Sequence, residues 1–430
     1  MSQETATAGL PLGIGTLSRP WLIFMGLTFV IFAFGVYAYL VQLIEGEVVT
    51  GLRNLGTMGG VAWGLYIVFA VYFAGVAFAG ITLAALIRLF DVERLKPVAR
   101  LAALLSVGAV ILGAISIMVD LGRPLEGITN LFLYARPQSP FFGTFTLVIA
   151  GYFFASVTYL YLESRKDAAT LARRPGWLQW FHRLWAAGYK DTPPERERRH
   201  LVSRWLSVGI IVLTVVATST LGFVFGLQVG RPGWYSALQA PTFVVLAGIS
   251  GLGNLIVLAA LVRRLFHKEK ALNREVFKLL GKFMLVLVVI LLYFLFVDLL
   301  TSTYAATPEE VGITNALLFG EYAWMYWLSI ATIILPLFLL VGMYLTGHWS
   351  IWWLAITGVL VNVAAILKRY LIVVPSQTHG SLLPYGVGTY APTWVEYAVI
   401  LGLLALGALL FGLFAKVFPV MEVSGTEGGE

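Results

Sequence analysis

Apolar residues along this chain gather in long uninterrupted runs, and polar residues collect in the stretches between them. A helix crossing a ~30 Å hydrocarbon core needs about 20 apolar residues at ~1.5 Å rise each. Ten runs meet that requirement: residues 20–44, 60–90, 98–121, 141–163, 202–228, 241–265, 276–304, 322–346, 350–374 and 393–417. The pattern predicts an all-α polytopic membrane protein with about ten transmembrane helices. A membrane β-barrel would instead show weak alternation in short segments. Residues 1–19 are polar and lack a small-residue cleavage site, so the first run reads as a resident helix and not a removed signal.

Composition agrees. Of 430 residues, 59% are hydrophobic and 12% charged, about half the ~25% charge of soluble domains. With a mean hydropathy of +0.86, a soluble cytosolic enzyme is excluded. The chain has no cysteine, which removes disulfides, thiolate zinc sites, iron–sulfur clusters and covalently attached c-type haem. His182, His200, His267 and His348 fall at one face and His379 at the other, so no facing pair inside the spans is left for a b-type haem. No P-loop or zinc motif is present. The sequence therefore predicts no haem, no iron–sulfur cluster and no metal site in this chain.

Charge sets orientation. Of 29 Lys and Arg, 23 lie at the termini and in the even-numbered loops, and 6 in the odd-numbered loops. The positive-inside rule then puts both termini in the cytoplasm. The longest inner loop, 164–201, carries Trp177, Trp180, Phe181, Leu184 and Trp185 at helical spacing, an amphipathic interfacial helix. Its basic run Arg196–Arg199 reads as positive-inside retention with contact to anionic membrane lipids and not as a nucleic-acid site.

The chain also repeats itself. Leu83-Ala84-Ala85-Leu86-Ile87-Arg88 returns as Leu258-Ala259-Ala260-Leu261-Val262-Arg263, Asp120-Leu121 as Asp298-Leu299, and Gly127-Ile128-Thr129-Asn130 as Gly312-Ile313-Thr314-Asn315. Spans 2–5 thus map onto spans 6–9 in the same orientation. The expected organisation is an N-terminal segment with span 1 (1–59), a first four-helix bundle (60–228), a second (241–374), and a last segment with span 10 and a polar tail (375–430).

Ionisable residues within a membrane are costly, so each is a functional candidate. Asp120 closes span 3 just before Gly122-Arg123-Pro124, and Asp298 lies in the outer third of span 7. Both sit near the negative end of a helix dipole, which disfavours ionisation. Arg123 is one turn from Asp120. Asp298 is 16 residues beyond Lys282 and Lys368 is 18 beyond Ser350, about 24 and 27 Å, so Lys368 and Arg369 are expected to reach Asp298 in a buried pair or network. Stapling of helix ends is the plainer alternative. Asn54, Asn130, Arg136, Ser139, Gln228, Arg231, Glu321, Gln377 and His379 gather on the same side, with Asn254 and Asn362 at mid-depth. Tyr66 at the start of span 2 is either a ligand donor or a belt aromatic.

Trp63-Gly64-Leu65-Tyr66, Asp120-Leu121-Gly122-Arg123-Pro124, Ser139-Pro140, Lys368-Arg369-Tyr370-Leu371 and Val374-Pro375-Ser376 together resemble the NrfD/PsrC family of quinone-reactive membrane subunits, in its ten-span branch. The resemblance implies an integral subunit, not catalytic alone, in a prokaryotic cytoplasmic (inner) membrane. It implies menaquinone or ubiquinone bound as substrate near the outer face. The implied partners are a peripheral ferredoxin-like iron–sulfur subunit and a molybdopterin, hydrogenase or multihaem cytochrome subunit. By motif, Asp120 exchanges protons and Arg123 orients it; Tyr66, Asn130, Ser139 and Gln228 are weaker quinone-binding candidates. Asp298, Glu321, Lys368 and Arg369 form a separate proton path or an ion network. One departure is Phe78, where some relatives carry a histidine, a protonatable partner that Asp120 would then lack. A secondary transporter built from parallel repeats, and a purely structural anchor, are the competing readings.

Overall fold

A computed structural model of the chain describes residues 14–52, 61–134, 145–173, 175–304, 306–379 and 388–421. Among the described residues there is no strand. The first half contains α1 (Arg19–Glu45), α2 (Leu65–Leu89), α3 (Lys96–Asp120), α4 (Pro124–Tyr134), α5 (Phe145–Leu171), α6 (Gln179–Ala186) and α7 (Pro193–Gly226). The second contains α8 (Gln239–Leu265), α9 (Arg274–Tyr304), α10 (Pro308–Leu318), α11 (Ala323–Thr346), α12 (Ile351–Val373), α13 (Pro375–Thr378) and α14 (Trp394–Val417). Nine of the described helices are long and apolar enough to cross a membrane: α1, α2, α3, α7, α8, α9, α11, α12 and α14. The expected fourth span begins outside the described residues. α5 follows at its position and runs on into the charged Glu163–Asp167 stretch. The molecule is an all-α, multi-pass membrane protein.

Local chemistry explains the boundaries. Thr192 and Glu195 form a capping box with prolines at the first turn, so α7 starts at Pro193, well before the apolar run, and reaches 34 residues. Thr393 and Glu396 do the same for α14. α3 stops at Asp120, and Pro124 then opens α4 as a new helix. Gly-Ile-Thr-Asn lies on both short helices, α4 and α10, each of 11 residues and each following a long helix.

α2, α3, α5 and α7 pack around one another, as do α8, α9, α11 and α12; α2 and α7 rest on α8, and α2 also meets α12. α1 pairs with α14, and α14 lies on α3. Close crossings need glycine: a Cβ on Gly358 would sit 2.7 Å from the Gly253 carbonyl oxygen, and one on Gly35 2.7 Å from the Gly402 Cα. The amphipathic segment divides its apolar stripe. Phe181 and Trp185 of α6 pack on Phe418, while Trp180 and Leu184 face outward.

Candidate functional site

A layer of polar contacts lies where α3 ends and α2 begins. Asp120, the last residue of α3, is 4% exposed. The carbonyl of its neighbour Val119 accepts a 3.1 Å hydrogen bond from Gln42 Nε2 of α1. The buried Tyr66 hydroxyl donates at 2.8 Å to the same amide's Oε1. The carboxylates of Glu396, Asp120 and Glu47 all act electrostatically on that hydroxyl. Glu47 packs against the Asp120 turn, since a Cβ on Gly122 would lie 3.0 Å from Glu47 Oε1.

The start of α2 is equally tied down. Gln377 Oε1 accepts from the N–H groups of Ala62 and Trp63 at 2.9 and 3.1 Å, while its Nε2 donates to the Trp63 and Val373 carbonyls. The Leu65 N–H donates to Tyr390 Oη at 2.7 Å, and Tyr390 donates onward to Glu396 Oε1. Glu396 is 0% exposed, and its other oxygen accepts from the Gly51 and Thr393 N–H groups at 2.8 and 3.0 Å. Burial, and then the Glu396 charge, push the Tyr390 hydroxyl far above its usual range. The run Trp63-Gly64-Leu65-Tyr66 thereby gets a physical account. Trp63 stacks on Trp234 at 5.7 Å, Gly64 leaves room for Tyr390 (a Cβ would be 2.3 Å from its Oη), Leu65 offers its N–H, and Tyr66 holds Gln42.

The other candidates divide. Arg123 is 79% exposed and pairs with Glu126 at 3.2 Å, on the first turn of α4. Asn130 is exposed on α4, and Gln228 bonds back to the Val224 carbonyl at the end of its own helix. Ser139, like Asn54 and Arg136, lies outside the described residues. Lys368 and Asp298 are brought together, Nζ to Oδ2 at 3.3 Å. Glu321 faces His379 at 3.9 Å, beside a bond of 2.9 Å between the Tyr322 and Thr378 hydroxyls.

Arg369 turns away from Asp298. It is 2% exposed, bonds to the Ala365 carbonyl and Ser250 Oγ, and lies 5.6 Å over the Tyr72 ring. Among the described residues no carboxylate pairs with it. The mid-depth asparagines bind each other: Asn254 Nδ2 donates to Asn362 Oδ1 and to Tyr72 Oη, and Tyr72 donates to Asn362 Oδ1, all at 2.8 Å. Phe78 is 12 residues along α2 from Tyr66, roughly 18 Å deeper, and packs edge-on against Tyr152. Phe78 thus lies about three turns along α2 from Tyr66, the residue that shares Gln42 with the end of α3.

Comparison with known proteins gives this layer a context. The sequence model of the family described as polysulphide reductase, NrfD, matches residues 53–379. The chain belongs to the NrfD family. It is 31% identical to a putative dimethyl sulfoxide reductase membrane subunit of Halobacterium salinarum, over 100% of this chain and 99% of that one. It is 24% identical to a selenate reductase subunit of Mesobacillus selenatarsenatis, over 92% and 94%. It is 23% identical to an Hdr-like menaquinol oxidoreductase integral membrane subunit of Archaeoglobus fulgidus, over 92% of each. The NrfD match leaves out α1 and α14, yet these helices and the turn after α1 supply Gln42, Glu47 and Glu396 to the layer. The sequence reading missed all three. A Thr-x-x-Glu capping signature ahead of an apolar run marks Glu396, and a lone amide near the end of an apolar helix marks Gln42.

Proposed function

We propose that this NrfD protein is the integral membrane subunit of a multisubunit oxidoreductase, exchanging electrons and protons with a membrane quinone, menaquinone or ubiquinone, at the Asp120 end of its helices. The observation that carries the reading is a carboxyl, 4% exposed, closing α3 inside a layer that fixes its surroundings from α1 and α2. Two-electron quinone chemistry moves two protons, so a protonatable group has to lie within hydrogen-bond reach of a quinone oxygen. Asp120 is that group in this reading. Tyr66 has its proton engaged by Gln42, so its part is to hold the layer in place. Arg123, exposed and paired with Glu126, secures the α4 turn. A menaquinol oxidoreductase subunit among the relatives supports the substrate class.

The electrons go to or come from a peripheral iron–sulfur subunit attached to a molybdopterin, hydrogenase or multihaem partner. By the charge asymmetry, this layer faces outward from a prokaryotic cytoplasmic membrane and both termini are cytoplasmic. Lys368 and Asp298 belong to the second bundle as an ion pair or part of a separate proton path, which Glu321, set against His379, and Arg369, turned to Ser250 and Tyr72, do not join directly. The mid-depth asparagines lend the transporter reading no support, since Asn254 and Asn362 bond to one another and to Tyr72. Purification in mild detergent tests the assignment. Iron–sulfur or haem absorbance in co-purifying subunits is expected; a bare polypeptide from cells that express its genomic neighbours contradicts it.

A further inference from the structure

α1 and α14 lie outside the residues matched by the family, and they clasp each other through the Gly35–Gly402 crossing. From this pair, Gln42 reaches the end of α3. It is 3% exposed, and both ends of its amide are used: Nε2 donates to the Val119 carbonyl, and Oε1 accepts from Tyr66. The Val119 carbonyl is one of the last four of α3, for which the helix itself supplies no i+4 donor. Tyr66 fixes which way the amide faces, because only Oε1 can accept its proton. Gln42 is thus a C-terminal cap delivered from a neighbouring helix, on the residue next to Asp120. The same helix pair secures the start of α2 through Glu396 and Tyr390.

We infer that Gln42 is a positioning residue for Asp120, and that α1 with α14 is a clamp completing the site. The inference rests on the quinone reading, in which Asp120 handles the proton. Gln42 acts through the Val119 carbonyl and the place of the α3 terminus, not through the quinone. An apolar side chain at position 42 leaves the Val119 carbonyl and the Tyr66 hydroxyl buried without partners, and the helix end relaxes. A catalytic group displaced by ~1 Å loses much of its rate. The loss therefore appears in kcat, with KM for quinol little changed.

Glutamate at this position gives a sharper handle. Protonated, Gln42→Glu reproduces both bonds, donating to Val119 and accepting from Tyr66; ionised, it only accepts. The test is quinol-linked turnover of the intact complex as a function of pH for wild type, Gln42→Met, Gln42→Glu and Asp120→Asn. We expect Gln42→Met to lose about tenfold in kcat with KM within about twofold, as for one or two buried hydrogen bonds. Burial at this position and the neighbouring Glu47, Asp120 and Glu396 carboxylates favour the protonated glutamate, so we expect Gln42→Glu to turn over close to wild type at neutral pH and to lose turnover, relative to wild type, as pH rises and the side chain ionises. An assembled Gln42→Met with unchanged kcat overturns the inference, as does a Gln42→Glu profile whose activity relative to wild type does not fall with rising pH. Where Gln42→Met fails to assemble, the Gln42→Glu profile decides alone. Turnover retained in Asp120→Asn rejects the quinone reading and this inference with it. Turnover lost there but kept in Gln42→Met rejects the inference alone.

Discussion

Lys368 Nζ on α12 lies 3.3 Å from Asp298 Oδ2 on α9, joining two helices of the second bundle at matching depth. The lysine side chain is 14% exposed and the aspartate 40%. Lys368→Met strands a carboxylate within a spanning helix and lowers stability by ~1–3 kcal/mol, less than the ~3–5 of a fully buried pair because Asp298 is partly open. Adding Asp298→Asn restores most of that loss. Thermal unfolding in detergent checks both steps, and a single variant as stable as wild type contradicts the pair's role.

The α1–α14 crossing makes a second prediction. Gly35→Val places its Cβ 2.7 Å from Gly402 Cα and 2.9 Å from the Ala398 carbonyl, both backbone atoms that cannot rotate away. Forcing the helices apart costs ~1–3 kcal/mol. Gly26, on the same helix, has nothing within 4 Å of a built Cβ, so Gly26→Ala is stabilising by ~0.5–1 kcal/mol. Equal effects at the two positions, measured by thermal unfolding, contradict the crossing.

At the opposite end of the molecule, Arg100 ties the C-terminal segment to the first bundle. Its guanidinium pairs with Asp167 and donates to the carbonyls of Glu163, Pro419 and Met421. Arg100→Met removes the guanidinium from the buried Asp167 carboxylate and from three backbone carbonyls, at up to ~3–5 kcal/mol. It also frees residues 417–421, so limited proteolysis near the C-terminus accelerates ahead of global unfolding. Unchanged cleavage would show that the strap is held by Phe418 packing and the His182–Val417 hydrogen bond without Arg100.

The α7 cap predicts a pH dependence. Hydrogen bonds from the backbone N–H of Thr192 and then of Lys190 hold the Glu195 carboxyl below the usual carboxylate range. A carboxyl depressed in the folded state contributes stability above its unfolded value of about 4.3, and that contribution fades as pH falls through the folded value. In Glu195→Gln, amide exchange in the first turn of α7 is faster than wild type at neutral pH, and the difference closes on acidification. A difference that persists in acid places the effect elsewhere.

Nine of the ten expected spans are legible because apolar runs of sufficient length leave few alternatives, and the Lys368–Asp298 contact is legible because depth follows from residue count along straight helices. Contacts between elements distant in sequence were not. Gln42 acts on α3 from 77 residues away, and Glu396 on Gly51 from 345 away. Arg123 shows a subtler limit. Three residues from Asp120 suggests one helical turn, but α3 has ended and Pro124 begins another helix, so Arg123 joins Glu126 instead. Asn254 and Asn362 stand out in the sequence only as mid-depth polar residues, and that they bond to one another and to Tyr72 depends on the packing of α8 on α12 and α2.

The most direct measurement is quinol-linked turnover by the intact complex carrying Asp120→Asn. The asparagine keeps the size and much of the polarity of the side chain but carries no transferable proton at pH 7. With Asp120 as the proton-exchanging group, kcat falls by about 10²-fold or more, the scale of general acid–base catalysis, in a complex that assembles normally. Turnover at the wild-type rate would contradict that role and leave the chain as a structural anchor.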